Sequence, residues 1–378
     1  MSLELTTNVR GRTVRNCRID AFPSTSEIES DGARLINLAG EDLLGLGSDA
    51  RVRNAAAATL KDHGLSPAPD GRLQAGFEAR AATLLGVEAA LLIDHESSLL
   101  NLLPSWRLLS EARGRRPLAD AAVISTPEEA ERVLVDPQLL GLVLEAVYTR
   151  EGDLSVIPRY AEVCQRHHAQ LIVVDDGLGV LGPSGGGAVD HLSLQAQLAL
   201  RVTPLGAAIP GTGALVLGAA ALIEPLRGVF PSPPAAMAAA SLKALELSVG
   251  EPARRARLFD VTQRLLGGLR ARGLDTGPCV TPWVPVWLGD EALCIQWLAA
   301  LAEHSVACRG WIAGPRSRLL LTPTATLNDG QLQQVLEVFE RLARKLGLPD
   351  ASSVSRQAPT LARPGSYAMT APAALHWT

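Results

Sequence analysis

Amine nucleophiles are scarce in this chain. Of its 35 basic side chains only three are lysines, Lys61, Lys243 and Lys345, so chemistry that needs a lysine imine has three candidates. Acid–base chemistry has more to draw on. His95 stands between Asp94 and Glu96, which suits a base or ring-stacking group in a pocket and equally an exposed loop histidine. Asp175 and Asp176 follow the apolar run 170–174, where a carboxylate either meets a ligand or bonds to nearby backbone donors. His167 and His168 close a helical pattern, where a cation complements the helix dipole. They lack a second pair at ligand spacing, so no metal is expected. Gly185-Gly186-Gly187 follows a Pro-Ser turn without a strand–GxGxxG–helix context and reads as a mobile loop rather than a phosphate cradle. Nothing in the sequence sets a nucleophile beside a base.

The elements that must position these residues follow from periodicity. Short apolar runs at 89–93, 141–147, 170–174 and 214–217 read as buried strands, and the segments 49–62, 77–85, 97–110 and 158–168 read as helical. Strands separated by helices imply parallel pairing with helices on both faces. The polar residues that end such strands then gather at the carboxyl edge of the sheet, where these folds bind ligands. Past residue 251 the pattern changes to helices at 254–272, 292–304 and 329–346 with strands at 280–287 and 318–322. The chain therefore divides into an N-terminal arm (1–47), a large domain (48–250), a small α+β domain (251–349) and a flexible tail (350–378) rich in Ala, Ser and Pro.

Composition narrows the partners. The 378 residues carry a net charge of −4, from 35 basic and 39 acidic side chains, too little positive charge to argue for nucleic acid. Val202–Ile223 is uncharged and long enough to cross a bilayer, but its two prolines and four glycines indicate turns and a buried strand, so no membrane span is expected. Cys17, Cys164, Cys279, Cys294 and Cys308 are scattered without a CxxC pair, which fits buried thiols and a reducing, cytoplasmic setting.

Six stretches carry a resemblance to a known family. Glu41-Asp42-Leu43-Leu44-Gly45-Leu46 resembles an N-D-Y-L-G-L motif, and Gly71-Arg72-Leu73 stands in place of a G-S-R-L loop. The segment 145–153 is similar to E-G-V-F-S-M-D-G-D. Val174-Asp175-Asp176-Gly177-Leu178-Gly179 and the following Val180-Leu181-Gly182-Pro183 resemble V-D-E-A-H-G-T-G-V-L-G-P. Phe230–Pro234 fits F-S-T-x-x-P-P, and Arg318–Thr324 resembles R-L-R-I-T-P-T. In this order they are similar to the α-oxoamine synthases, pyridoxal phosphate enzymes that condense an amino acid with an acyl thioester. The resemblance spans about Ile36 to Leu346. It implies an aspartate-aminotransferase-like α/β architecture (PLP fold type I): a three-layer large domain with a mostly parallel sheet, and a smaller α+β C-terminal domain.

The resemblance also assigns residues. Asp175 takes the place of the aspartate that pairs with the cofactor's pyridine nitrogen, and Thr203 that of the threonine in T-x-S-K. Arg72 and Arg318 are the substrate-binding candidates, and His95, Asp175 and Asp176 the candidates for acid–base work. The family's lysine falls on Leu205, Gly206 or Ala207, and Lys243 lies in a later helix. Its D-E-A-H histidine becomes Leu178, and the second arginine of R-L-R-I becomes Leu320. Asp120 fits the aspartate that precedes the stacking histidine, whose stretch is missing. Asp94 and Glu96 add negative charge where the family binds phosphate. The expectation is a catalytically degenerate, auxiliary subunit, in a homo- or heterodimer with a lysine-bearing relative. No covalently bound cofactor is expected, and pyridoxal phosphate only non-covalently or on a partner. The alternatives are a cofactor-independent enzyme acting on a thioester or amino acid, and a stand-alone ligand-binding homodimer.

Overall fold

The computed structural model describes residues 11–65, 71–102, 108–114, 121–136 and 138–348; the tail expected over 350–378 lies outside them. The chain forms two compact units. Among the described residues, the larger takes 41–148 and 153–257, and the smaller takes 11–40, 149–152 and 258–348.

A seven-stranded sheet is the centre of the larger unit. In spatial order its strands are Ala89–Ile93, Ala214–Gly218, Leu200–Pro204, Gln170–Val174, Gly141–Glu145, Leu108–Glu111 and Ala122–Ile124. Strand 214–218 runs antiparallel to both its neighbours, and the remaining pairs are parallel. The runs read from sequence at 89–93, 170–174 and 214–217 are all strands here, and the run at 141–147 forms strand 141–145 and the start of a separate short strand at 147–148. Their near-continuous apolar character reflects burial on both faces. On one face Leu91, Ile93, Val143, Ile172, Val174, Leu200, Val202 and Val216 form a single cluster. Three strands escaped the sequence reading. Leu108–Glu111 was absorbed into a helical pattern that in fact ends at Leu102. Strand 200–204 carries Arg201 and Thr203, which break the apolar run. Val202–Ile223 resolves into two paired strands and a turn, and no described helix is long and apolar enough to cross a membrane.

Ahead of the sheet, the 41–47 segment is a buried turn. Asp42 accepts the N–H groups of Leu46 (2.8 Å) and Gly47 (2.9 Å), while Leu43, Leu44 and Leu46 are fully buried. A short acceptor side chain followed by Leu-Leu-Gly-Leu is what such a turn requires.

In the smaller unit an antiparallel sheet has the order Arg12–Arg15, Arg309–Ile312, Arg318–Leu321, Val284–Trp287. Strand 284–287 lies at its edge, as its prolines require. A second sheet joins Val306–Ala307 to Ala33–Asn37, Glu27–Ser30 and Ala21–Ser24. Residues 12–37, expected to be an arm, are therefore strands of this unit. Strand Arg12–Arg15 pairs only with Arg309–Ile312, almost 300 residues away, whereas 21–24, 27–30 and 33–37 pair with one another locally before 33–37 meets 306–307. One core cluster joins Leu265, Leu269, Trp297, Leu301, Leu319, Leu321, Val335 and Phe339. Helix Asp329–Leu346 is closed at its start by a capping box between Asn328 and Gln331.

Trp297 is fully buried, with its ring centroid 5.7 Å from that of Phe339. Trp297→Ala is expected to destabilise the smaller unit by about 3–5 kcal/mol, read as a fall in the urea midpoint monitored by far-UV circular dichroism.

Candidate functional site

Four parallel strands of the large sheet end in polar residues: Glu111, Glu145, Asp175 and, on strand 200–204, Thr203. Asp175 is completely buried. Its Oδ1 accepts the N–H groups of Gly177 (2.9 Å) and Ala188 (3.1 Å). Its Oδ2 accepts the Val189 N–H (3.1 Å) and lies 3.0 Å from Arg201 Nη2. Arg201 sits in register with Val173 on the neighbouring strand, and its Nη2 also donates to the Gly186 carbonyl.

The loop 183–187 closes over this pair. Arg255 donates to the Pro183 and Ser248 carbonyls, and the Ser184 hydroxyl donates to Asp190 at 2.8 Å. At Gly187, with φ +96°, a Cβ would collide with Arg201 and Asp175. The three glycines are therefore held by two buried arginines and a carboxylate, and the expected mobile loop is a pinned one. Adjacent glycines were legible; their partners, 15 to 70 residues away, were not.

The residues do not fit a lysine-linked pyridoxal phosphate. Where the family has its lysine, Leu205 N–H donates to Gly213 O (2.9 Å) and Gly206 N–H to Ile209 O (2.8 Å) in a turn, and no amine is present. Lys61 is exposed on helix 50–63. Lys243 is paired with Glu246 at 2.8 Å on helix 235–250. Lys345 belongs to the smaller unit, in the last turn of helix 329–346. The Thr203 hydroxyl is buried and makes no hydrogen bond, and Asp176 is buried beside Asp175.

A second polar cluster was missed by the sequence reading. Glu111, 6% exposed, accepts hydrogen bonds from Tyr148 and, at 3.3 Å, from Tyr160. The Arg113 guanidinium stacks on the Tyr148 ring at 3.8 Å and pairs with Asp153 at 2.8 Å. Burial pushes the Glu111 carboxyl above its ordinary value, assisted by the nearby charge of Glu145 and opposed by the tyrosine bonds and Arg113. Asp120, which the sequence reading set in the family's strand-ending place, lies outside the described residues; Glu111 ends strand 108–111. Its signal, Leu-Leu-Ser-Glu, was too short to separate from the preceding helix.

The remaining candidates are not brought together with this edge. His95 Nδ1 is 2.8 Å from Ser97 Oγ and accepts the Ser97 N–H at 3.1 Å. Asp94 accepts the Ser98 hydroxyl at 2.9 Å. The Asp-His-Glu triplet therefore caps helix 96–102, and His95 is exposed rather than set in a pocket. Arg72 is exposed at the first residue of helix 72–85. Arg318, in the smaller unit, is 1% exposed, pairs with Glu151 at 2.7 Å and stacks on Trp287 at 4.0 Å. Burial pushes its guanidinium down to about 10.

This architecture is that of a PLP fold type I protein. A serine palmitoyltransferase solved with pyridoxal phosphate superposes with a TM-score of 0.82 at 20% identity, covering 88% of this chain and 93% of the other. The 8-amino-7-oxononanoate synthase of Francisella tularensis gives 0.71 at 19% identity, covering 82% and 98%. Sequence comparison goes further. The chain is 33% identical over 350 residues to the 8-amino-7-oxononanoate synthase of Anaeromyxobacter dehalogenans strain 2CP-1, covering 84% of this chain and 85% of the relative. The synthase of Symbiobacterium thermophilum is 29% identical over 361 residues, covering 84% and 91%. No protein-family profile matches the chain. The chain belongs to the α-oxoamine synthase family, in the branch of relatives named 8-amino-7-oxononanoate synthase. This overturns the expectation of a degenerate auxiliary subunit and its two alternatives, because the relatives bear the name of a catalytic enzyme and nothing among them denotes a non-catalytic partner.

The raised Glu111 carboxyl has a consequence for stability. The folded state binds this proton more tightly than the unfolded chain, so the contribution is full below pH 4.5, the ordinary glutamate value. It is lost as pH rises through the folded-state value. Urea midpoints of the wild type, measured relative to Glu111→Gln, are therefore expected to fall as pH rises above 4.5; a constant difference would show an unshifted carboxyl.

Proposed function

We propose that this chain acts on the substrate classes of its family, an acyl thioester and an amino acid, as an acyltransferase. We further propose that any pyridoxal phosphate it engages is held without a covalent link to the chain. The carrying observation is 33% identity over 84% of the chain to a relative named 8-amino-7-oxononanoate synthase. That name describes an amino-oxo acid as product, the kind of compound made when an amino acid carbon takes up an acyl group and the thiol leaves. The neighbours of this fold include one solved with pyridoxal phosphate, which supports the cofactor class. The absence of an amine at 205–207 supports a non-covalent association.

What the chain's own residues supply is limited and specific. Two arginines are the candidates for the negative charge of a substrate: Arg72, exposed at the first residue of helix 72–85, and Arg318, which pairs with Glu151 through Nη2. Glu111, buried between two tyrosine hydroxyls, holds a proton that an exposed carboxylate would lose.

Release of free thiol from a series of acyl thioesters, followed with and without amino acids and pyridoxal phosphate, tests the reading. Thiol release that needs both substrates is the expected result, and Arg72→Ala is expected to raise KM roughly tenfold by removing one charged contact. No release with any pair would overturn the acyltransferase reading. Borohydride treatment is expected to leave Lys61, Lys243 and Lys345 unmodified in the mass spectrum, and a pyridoxyl-lysine adduct would overturn the non-covalent reading.

A further inference from the structure

The disagreement between this site and the family's cofactor extends beyond the missing lysine. A carboxylate has about four lone-pair sites. Asp175 has four partners: Gly177 and Ala188 N–H are hydrogen-bonded to one oxygen and Val189 N–H to the other, and Arg201 Nη2 forms an ion pair 3.0 Å from that second oxygen. An incoming donor would have to displace one of them. The arginine is itself 4% exposed on a strand whose neighbours Leu200 and Val202 are apolar and fully buried. Its position is held by the Gly186 carbonyl and by the close approach of Gly187, where a Cβ would strike both members of the pair.

We propose that Arg201 is a built-in counter-cation. It occupies, as a permanent part of the chain, the cationic place that the family resemblance gives to the cofactor's pyridine nitrogen opposite Asp175. The site is electrically complete without a ligand. A pyridine ring that enters this edge finds the carboxylate already paired. The inference stands on the four partners of Asp175 and the glycine enclosure, and does not depend on the acyl-transfer reading.

Two measurements test it. Arg201→Met leaves Asp175 buried without its cation, and Tm is expected to fall by roughly 5–15 °C. The double variant Asp175→Asn/Arg201→Met is expected to recover part of that loss, since the two residues act as one unit. Additive effects of the single changes would overturn the pairing. The second measurement uses the unaltered chain, so it stands even if these variants fail to fold. Calorimetric titration compares pyridoxal phosphate with its 1-deaza analogue, which has carbon in place of the ring nitrogen. Equal binding of the two, or binding of neither, is expected. Tighter binding of the nitrogen-bearing ring would show an available carboxylate and overturn the proposal.

Discussion

The Asp175–Arg201 pair constrains the centre of the larger unit. Burying two charges costs several kcal/mol per ion unless each is fully bonded, and here the carboxylate is. Meeting that requirement fixes a good deal of chain. Strands 170–174 and 200–204 must stay in parallel register for Arg201 to reach Asp175. Residues 187–189 must turn their N–H groups inward. Gly177 and Gly187 must lack side chains, since a Cβ at either would press on the carboxylate. Gly177 and Gly187 thus answer to the ion pair, while Gly182 and Gly186 are crowded by Asp190 and Gly185 by Arg255.

Arginine takes this role repeatedly. Arg255 holds two backbone carbonyls beside the same loop. Arg227 reaches the buried Glu78 and donates to the Ala90 carbonyl at 3.2 Å. In the smaller unit Arg318 lies in register between Trp287 and Trp311 across three strands, stacked on the first, while Arg150 stacks on the second at 3.7 Å. A planar guanidinium with five donors suits such buried, stacked and multiply bonded places, and a lysine ammonium does not. The scarcity of lysine and the abundance of buried arginine are two sides of one composition: the chain's cations are built for holding structure, not for forming imines.

Much of this architecture was legible in the sequence because the parallel strands bury both faces and so appear as unbroken apolar runs. The helix at 329–346 was legible for a similar reason, since it carries its own local signal. Long-range pairing was not. Residues 12–37 read as an arm because their strands are short, and the pairings that tie them into the smaller unit come from 306–307 and 309–312. Strand 200–204 was hidden by Arg201, whose charge contradicts a buried strand until Asp175 is placed beside it. His95 read from sequence as a pocket group or as an exposed loop histidine; it is exposed, and its ring nitrogen caps a short helix.

The carboxyl edge of the large sheet consequently has two characters. At strands 170–174 and 200–204 the opposite charges of Asp175 and Arg201 are paired at 3.0 Å inside the sheet edge. At strands 108–111 and 141–145 the edge carries two buried acids. Glu111 is raised by burial and by Glu145, yet it keeps two phenolic donors within reach. Burial favours the acid there, while the tyrosine bonds stabilise the carboxylate. The acid whose protonation the fold alters is therefore Glu111, two strands from the carboxylate that the family motif marks.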